Sequence, residues 1–175
     1  MPREIPERYR WAADLLDVRP DEYILEIGCG YGHVIGLISE RITTGHITAI
    51  DRSETMVQAA RERNKPHLES GKAEIRHQDL LDSKLPPMSF DKVFLFNINA
   101  FWMDPVSELT EVKRVLKPAG KFFIFHQPPP GHEIGEFVER FQSNLTKNGF
   151  EIVSATVSVV EGKEMACVVS RASRR

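Results

Sequence analysis

Three carboxylates and a glycine-rich turn are the groups in this chain best placed to do chemistry. Tyr23-Ile-Leu-Glu-Ile-Gly-Cys-Gly-Tyr-Gly32 opens as an apolar run suited to a strand covered on both faces, then breaks into glycines at alternate positions. Lacking a Cβ, Gly28, Gly30 and Gly32 can take positive φ and let the backbone come within contact distance of a ligand. Glu26 ends the run two residues earlier. A carboxylate there repels a pyrophosphate and attracts a ligand with an ammonium or sulfonium group and no phosphate. The dinucleotide fingerprint has a glycine three residues after its second, and His33 holds that place here. Asp51 falls about 20 residues past the turn, where a carboxylate overhangs the ligand crevice and can accept hydrogen bonds from both hydroxyls of a ribose. Asp79, after a third candidate strand, can accept from an exocyclic amine, although an acid at a strand end also reads as a turn or helix cap. His126, at the end of a later strand, has the chemistry of a general base at neutral pH, or of a hydrogen-bonded structural histidine.

The elements that must position these groups alternate. An amphipathic helix over 5–17, carrying Tyr9, Ala12, Ala13 and Leu16, precedes the first strand and is expected to cover the ligand crevice. A helix follows the glycine turn from Val34 to Ile38. Strands are expected at His46–Asp51, Ala73–His77, Phe90–Phe96 and Lys121–His126. Ser53 is a candidate cap for the helix after the second strand. Asp104 reads as an N-cap with Pro105 at the first helical position, ahead of an apolar stripe through Val106, Leu109, Val112 and Leu116. A last helix carries Ile134, Phe137, Val138, Phe141 and Leu145 and stops at Gly149. Phe150–Val160 and Glu164–Ser170 finish the chain as a hairpin about Glu161-Gly-Lys163, so the last strand runs antiparallel. The expected fold class is α/β: a doubly wound, mostly parallel seven-stranded sheet, helices on both faces, and a C-terminal antiparallel β-hairpin. Residues 1–175 read as one domain, with 171–175 as a disordered basic tail.

Glu26-Ile-Gly-Cys-Gly-Tyr-Gly32 resembles the first motif, E/D-x-G-x-G-x-G, of the class I S-adenosylmethionine-dependent methyltransferases. Asp51-Arg-Ser-Glu-Thr-Met56 is similar to their second motif, Phe90-Asp-Lys-Val93 to their fourth, and Leu116-Lys-Pro-Ala-Gly120 to the segment before strand five. The resemblance implies S-adenosyl-L-methionine as cofactor, held by Glu26, Gly28, Cys29, Gly30, Gly32, Asp51, Arg52, Met56, Asp79, Leu80 and Asn97. It implies Asp79 at the adenine amine, Met56 on the adenine face and Asn97 at the methionine part. Tyr9, Asn99, Phe101 and Trp102 are candidates to line the acceptor pocket, with Trp11 beside Tyr9, and His126 is the candidate base. Tyr9, Trp11, Met56, Phe101 and Trp102 are also residue types that pack in cores.

Composition bounds the rest. At 175 residues, 41% hydrophobic and a net charge of −2, the chain has material for one core and no basic stripe to hold nucleic acid. Cys29 and Cys167 alone make neither a disulfide framework nor a zinc pattern, so no metal and a cytoplasmic setting are expected. No stretch reads as a membrane span. The Pro-Pro-Tyr signature of amino-methylating DNA enzymes is missing after strand four, as are the paired acids and asparagine of metal-dependent catechol-type enzymes. A small-molecule acceptor is therefore expected, from a monomer or homodimer. The alternatives are a protein that binds the cofactor without transferring methyl, and an NAD(P)-dependent oxidoreductase, which Glu26, the glycine spacing and the hairpin oppose.

Overall fold

The computed structural model describes residues 4–173, which alternate as the hydrophobic pattern requires. Helix α1 (Glu7–Leu16) buries Ala12, Ala13 and Leu16 and leads into β1 (Tyr23–Ile27), four of whose five residues are buried. Then follow α2 (His33–Ser39), β2 (His46–Asp51), α3 (Glu54–Arg63), α4 (Lys65–Glu69), β3 (Ala73–His77) and β4 (Phe90–Phe96). The second half comprises α5 (Ala100–Met103), α6 (Val106–Val115), β5 (Leu116–His126), α7 (Ile134–Lys147), β6 (Phe150–Val160) and β7 (Lys163–Ala172). Among the described residues, seven strands form one sheet in the order β3-β2-β1-β4-β5-β7-β6. The first five strands in this order are parallel, and β7 runs antiparallel to both β5 and β6.

The sheet separates two apolar layers. Ala12, Leu16, Ile35, Ile38, Val57 and Phe94 belong to one, which lies under α1, α2 and α3. Leu109, Val112, Phe122, Phe137, Phe141 and Leu145 belong to the other, under α6 and α7. Burial on both faces is why β1 and β4 read as continuous apolar runs rather than alternating ones. With β4 and β1 at its centre, the sheet brings the ends of β1, β2, β3 and β4 to one edge, where the reversal of strand order opens a crevice.

Several boundaries differ from expectation. Asp104 is extended, with φ −143° and ψ 76°, and Pro105 takes the N-cap place of α6, because the one-turn helix α5 occupies the residues just before it. That turn and α4 are too short to show helical periodicity. β5 starts at Leu116, not Lys121: Lys117 reaches Asp91 at 2.7 Å, and a Cβ on Gly120 would come within 3.0 Å of the Lys117 and Phe90 carbonyl oxygens, so this segment is laid flat along β4. Gly149 follows the C-cap Asn148 at φ 75°. Of the tail expected to be disordered, Arg171 and Ala172 pair in β7 and the Ser173 N–H donates to Gly149 O at 3.0 Å, whereas 174–175 lie outside the described residues. Ser53 does cap α3, accepting the Met56 N–H at 3.4 Å. Ser53→Ala is expected to cost about 1 kcal/mol of stability in a urea titration, the usual worth of such a cap.

Candidate cofactor site

The turn after β1 is shaped by what surrounds it. Gly28 and Cys29 donate their N–H groups to Ile50 O, at 2.8 and 3.1 Å, which binds the turn to the end of β2. A Cβ at Gly28 would stand 2.6 Å from the Ile98 side chain, and one at Gly32 would stand 2.6 Å from Asn64 Nδ2 and 2.9 Å from the Ala60 Cβ. Positive φ, 68° at Gly28 and 70° at Gly32, favours glycine at both, and at Gly32 the Ala60 Cβ adds a steric ground. Gly30 is different: φ is 52°, and nothing lies within 4 Å of the place its Cβ would take. Its open side faces no protein atom and leaves the backbone free to meet a ligand.

Asp51 organises this end of the sheet. One carboxylate oxygen accepts the Gly30 N–H at 2.8 Å, and the other accepts the Ser53 N–H at 2.9 Å. Glu26 sits next door on β1, opposite Ala49 of β2 and Phe94 of β4, and is only 3% exposed. Its Oε2 has no hydrogen-bond partner. Burial, and secondarily the Asp51 charge, hold the Glu26 carboxyl well above the usual carboxylate range. An orphaned acid oxygen behind an open glycine turn is a place where a positively charged ligand gains and an anion loses.

In front of the turn lies a cavity of about 410 Å³ lined by Gly28, Asp51, Arg52, Asp79, Leu80, Asn97 and Asn99, with Ile27, Ile50, Gln78, Phe96, Ile98, Ala100, Phe101 and Glu108. Asp79 makes an Asx turn, accepting the Leu81 N–H at 3.0 Å, while the Gln78 N–H donates to Asp51 O at 3.0 Å. Asn97 has φ 55°; its N–H donates to Phe125 O at 3.0 Å and its Oδ1 accepts the Gln127 N–H at 2.7 Å, so it ties the ends of β4 and β5 together. Cys29 is buried inside the turn, its thiol 3.9 Å from Gly30 O. Met56, half-buried on α3, does not line the cavity.

The other side chains expected here are distributed unevenly. The Tyr9 ring stacks on His33 at 4.7 Å and lies 5.2 Å from Phe96, one ring removed from the cavity. Trp11 packs edge-on to Phe125 at 5.8 Å. Phe101 lines the cavity with its edge yet is 2% exposed and packs on Phe122, so most of the ring belongs to the core. Trp102 turns the other way, into a groove between α5 and α7, where it meets Phe137 at 5.3 Å under the Arg140 guanidinium. His126 is not in the cavity lining. It is 3% exposed beneath Phe137 and Phe141, neither ring nitrogen has a partner, and burial pushes its pKa down to about 4. Glu108, Gln78 and Ile98 were not anticipated; Glu108 comes from the first turn of α6 and carries no local signal in the sequence. Among the described residues no three His, Cys, Asp or Glu side chains are grouped to hold a metal ion.

A doubly wound sheet with a glycine turn, a strand-end acid on β2 and a second acid after β3 around one crevice defines a nucleoside-binding α/β protein. A family model described as a methyltransferase domain matches residues 25–124, which run from within β1 to within β5. The chain belongs to that family and is a class I S-adenosylmethionine-dependent methyltransferase, with S-adenosylmethionine as its cofactor. It is 27% identical over 169 residues to the uncharacterized methyltransferase YdaC of Bacillus subtilis, covering 93% of this chain and 90% of that one. It is 34% identical over 119 residues to nocamycin O-methyltransferase of Saccharothrix syringae, covering 67% of this chain and 42% of the relative. Other relatives are longer still, and the chain spans about a third of them. In fold it is similar to a SAM-dependent methyltransferase from Aquifex aeolicus, with a TM-score of 0.74 at 21% identity over 93% of this chain and 89% of that structure. The site suits such a cofactor: the Asp51 carboxylate and Gly28 stand in the crevice wall, and the open Gly30 and the orphaned Glu26 oxygen lie beside them in the turn and strand, outside the cavity lining.

Proposed function

We propose that this chain moves the methyl group of S-adenosylmethionine to a nucleophilic atom of a small molecule, in the cytoplasm, by in-line displacement. The observation that carries the residue roles is the Asp51 carboxylate, which closes the glycine turn through Gly30 and stands in the cavity wall. Asp51 accepts hydrogen bonds from the ribose hydroxyls, Asp79 and the Leu80 backbone hold the adenine edge, and Glu26 opposes the positive charge. Arg52 lines the adenosine side, Met56 and Cys29 support it from outside the cavity, and Asn97 holds the methionine part. The cofactor supplies an activated methyl on a good leaving group; the protein supplies proximity, alignment and exclusion of water.

Exclusion of water falls to α1. The Glu161 carboxylate, at the tip of the β6–β7 hairpin, accepts the Glu7 N–H at 3.2 Å, and the Arg41 guanidinium donates to Ala13 O. These contacts hold the helix at both ends, with Tyr9 against Phe96, which lines the cavity. The acceptor then enters past Asn99 and Tyr9. A small acceptor is supported by the modest cavity and by the relative named nocamycin O-methyltransferase. His126 is given no role as base, because its ring lies under Phe137 and Phe141 away from the cavity lining, and a pKa pushed down to about 4 leaves it a weak base.

The experiment is parallel calorimetric titration with S-adenosylmethionine, S-adenosylhomocysteine and NAD, followed by an acceptor screen read as S-adenosylhomocysteine release. Binding of the first two with turnover on a small acceptor is expected. Binding without turnover on any acceptor class would instead favour a cofactor-binding role, and binding of NAD alone would overturn the assignment of Glu26.

A further inference from the structure

The two edges of the sheet are built differently. β3, at one edge, is five residues long and carries the charges of Glu74 and Arg76, which form an ion pair at 2.6 Å. A short, charged edge strand resists pairing with another chain. β6, at the other edge, runs for eleven residues and pairs only with β7. From Ile152 to Val160 it contains no charge, glycine or proline: Ile-Val-Ser-Ala-Thr-Val-Ser-Val-Val. Its register slips once, between Ile152 and Ser154, and is regular from there to the hairpin.

Side chains alternate across the sheet, so Ala155, Val157 and Val159 share one face while Ser154, Thr156 and Ser158 share the other. On β7, the residues opposite Ala155 and Val157 are Val168 and Ala166, and both are fully buried. Cover thus ends between the two strands: Val157 is 48% and Val159 70% exposed. Past the bulge and Glu151 at its start, the strand sets an apolar row beside unpaired backbone N–H and C=O groups with no further protection, and that is a pairing surface.

We propose that β6 pairs antiparallel with β6 of a second copy of this chain about a two-fold axis, joining two sheets into one of fourteen strands. The occupant follows from symmetry and charge. An edge strand set antiparallel to its own copy presents the same surface to itself, so the contact is self-complementary and closes at two. A pairing confined to the neutral stretch Ile152–Val160, with Glu151 and Glu161 just outside its limits, sets no like charges opposite each other, whereas it offers a charged partner strand nothing to attract it. The valine rows of the two copies then lie side by side as β-branched cross-strand pairs, and the dimer's remaining edges are the two short, charged β3 strands.

The test is sedimentation equilibrium of the full chain, of Val157→Lys and of Val159→Glu, with concentration-dependent hydrogen exchange on the wild type. A dimer of twice the 19.9 kDa chain mass is expected. Both half-exposed or exposed positions tolerate charge in the monomer, and each substitution is expected to raise the dimer dissociation constant about tenfold or more, leaving cofactor affinity unchanged. The wild-type β6 amides should gain protection as concentration rises. A wild-type monomer with β6 amides exchanging freely at every concentration overturns the proposal, as does a dimer that both charged variants leave intact. Should a variant fail to fold, the hydrogen-exchange result on the wild type decides alone.

Discussion

Glu26→Gln is expected to weaken S-adenosylmethionine binding about ten- to hundredfold while raising the melting temperature of the free protein. The two effects have one cause. Glu26 is 3% exposed, and its Oε2 has no partner, so in the free protein an ionised carboxylate there is uncompensated. Replacing it by an amide of the same shape removes that cost, but also removes a charge-assisted interaction with a cationic ligand worth about 1.5–3 kcal/mol. The pH dependence gives the sign. The folded-state pKa is raised by burial, so the unfolded chain binds fewer protons than the native one above the ordinary carboxylate value of about 4.3, and stability falls as pH rises. Below that value the acid is protonated in both states, and the two proteins should melt alike as far as this group is concerned. The stabilising effect of the substitution should grow with pH and level off past the raised pKa. Calorimetry in buffers of different ionisation enthalpy supplies a readout specific to this acid. Because a cationic ligand favours the ionised acid, the wild type is expected to release a proton on binding between the pKa of the free protein and its lower value in the complex, and the variant is not. Equal affinity of the two proteins for S-adenosylmethionine would remove Glu26 from the site.

Asp51→Asn is expected to cost about 2 kcal/mol in binding, or roughly thirtyfold, and by the same factor for S-adenosylmethionine and S-adenosylhomocysteine, which share the adenosine. Two things are lost together. The carboxylate accepts N–H groups from both Gly30 and Ser53, and an amide can keep only one of these, because its nitrogen does not accept. The turn therefore loses one of its fixed points just where the cofactor must meet it. The negative charge that takes hydrogen bonds from ribose hydroxyls is lost as well. Parallel titrations with the two cofactor forms check the prediction. A large loss for one form only would place Asp51 against the methionine part rather than the ribose.

The strands were readable because both faces of most of them are covered, which leaves apolar runs such as Tyr23–Ile27 and Phe90–Phe96 that no surface helix would show. Asp51 and Asp79 could be placed for a related reason: in a doubly wound sheet the carboxyl end of every parallel strand points to the same crevice, so a strand boundary is also a site boundary. Side-chain direction was not readable in this way. Trp102 leaves the cavity because α5, a single turn, rotates it toward α7. His126 sits at a strand end as expected, but α7 closes over it with two phenylalanines. Glu108 enters from a helix whose apolar stripe says only which face is buried.

By itself the sequence determined the alternation of the strands with the longer helices, the glycine turn and the acids at the carboxyl ends of β1 and β2, though not the short α4 and α5. Each of these follows from short-range terms: backbone freedom at glycine, hydrophobic period, and charge at a strand terminus. Only the tertiary structure decided which side chains share the crevice, that Glu26 is an orphaned acid with a raised pKa, and that His126 is a buried neutral one. Those properties depend on desolvation by residues distant in the chain, such as Phe94 beside Glu26 and Phe141 over His126, and no local window contains that information.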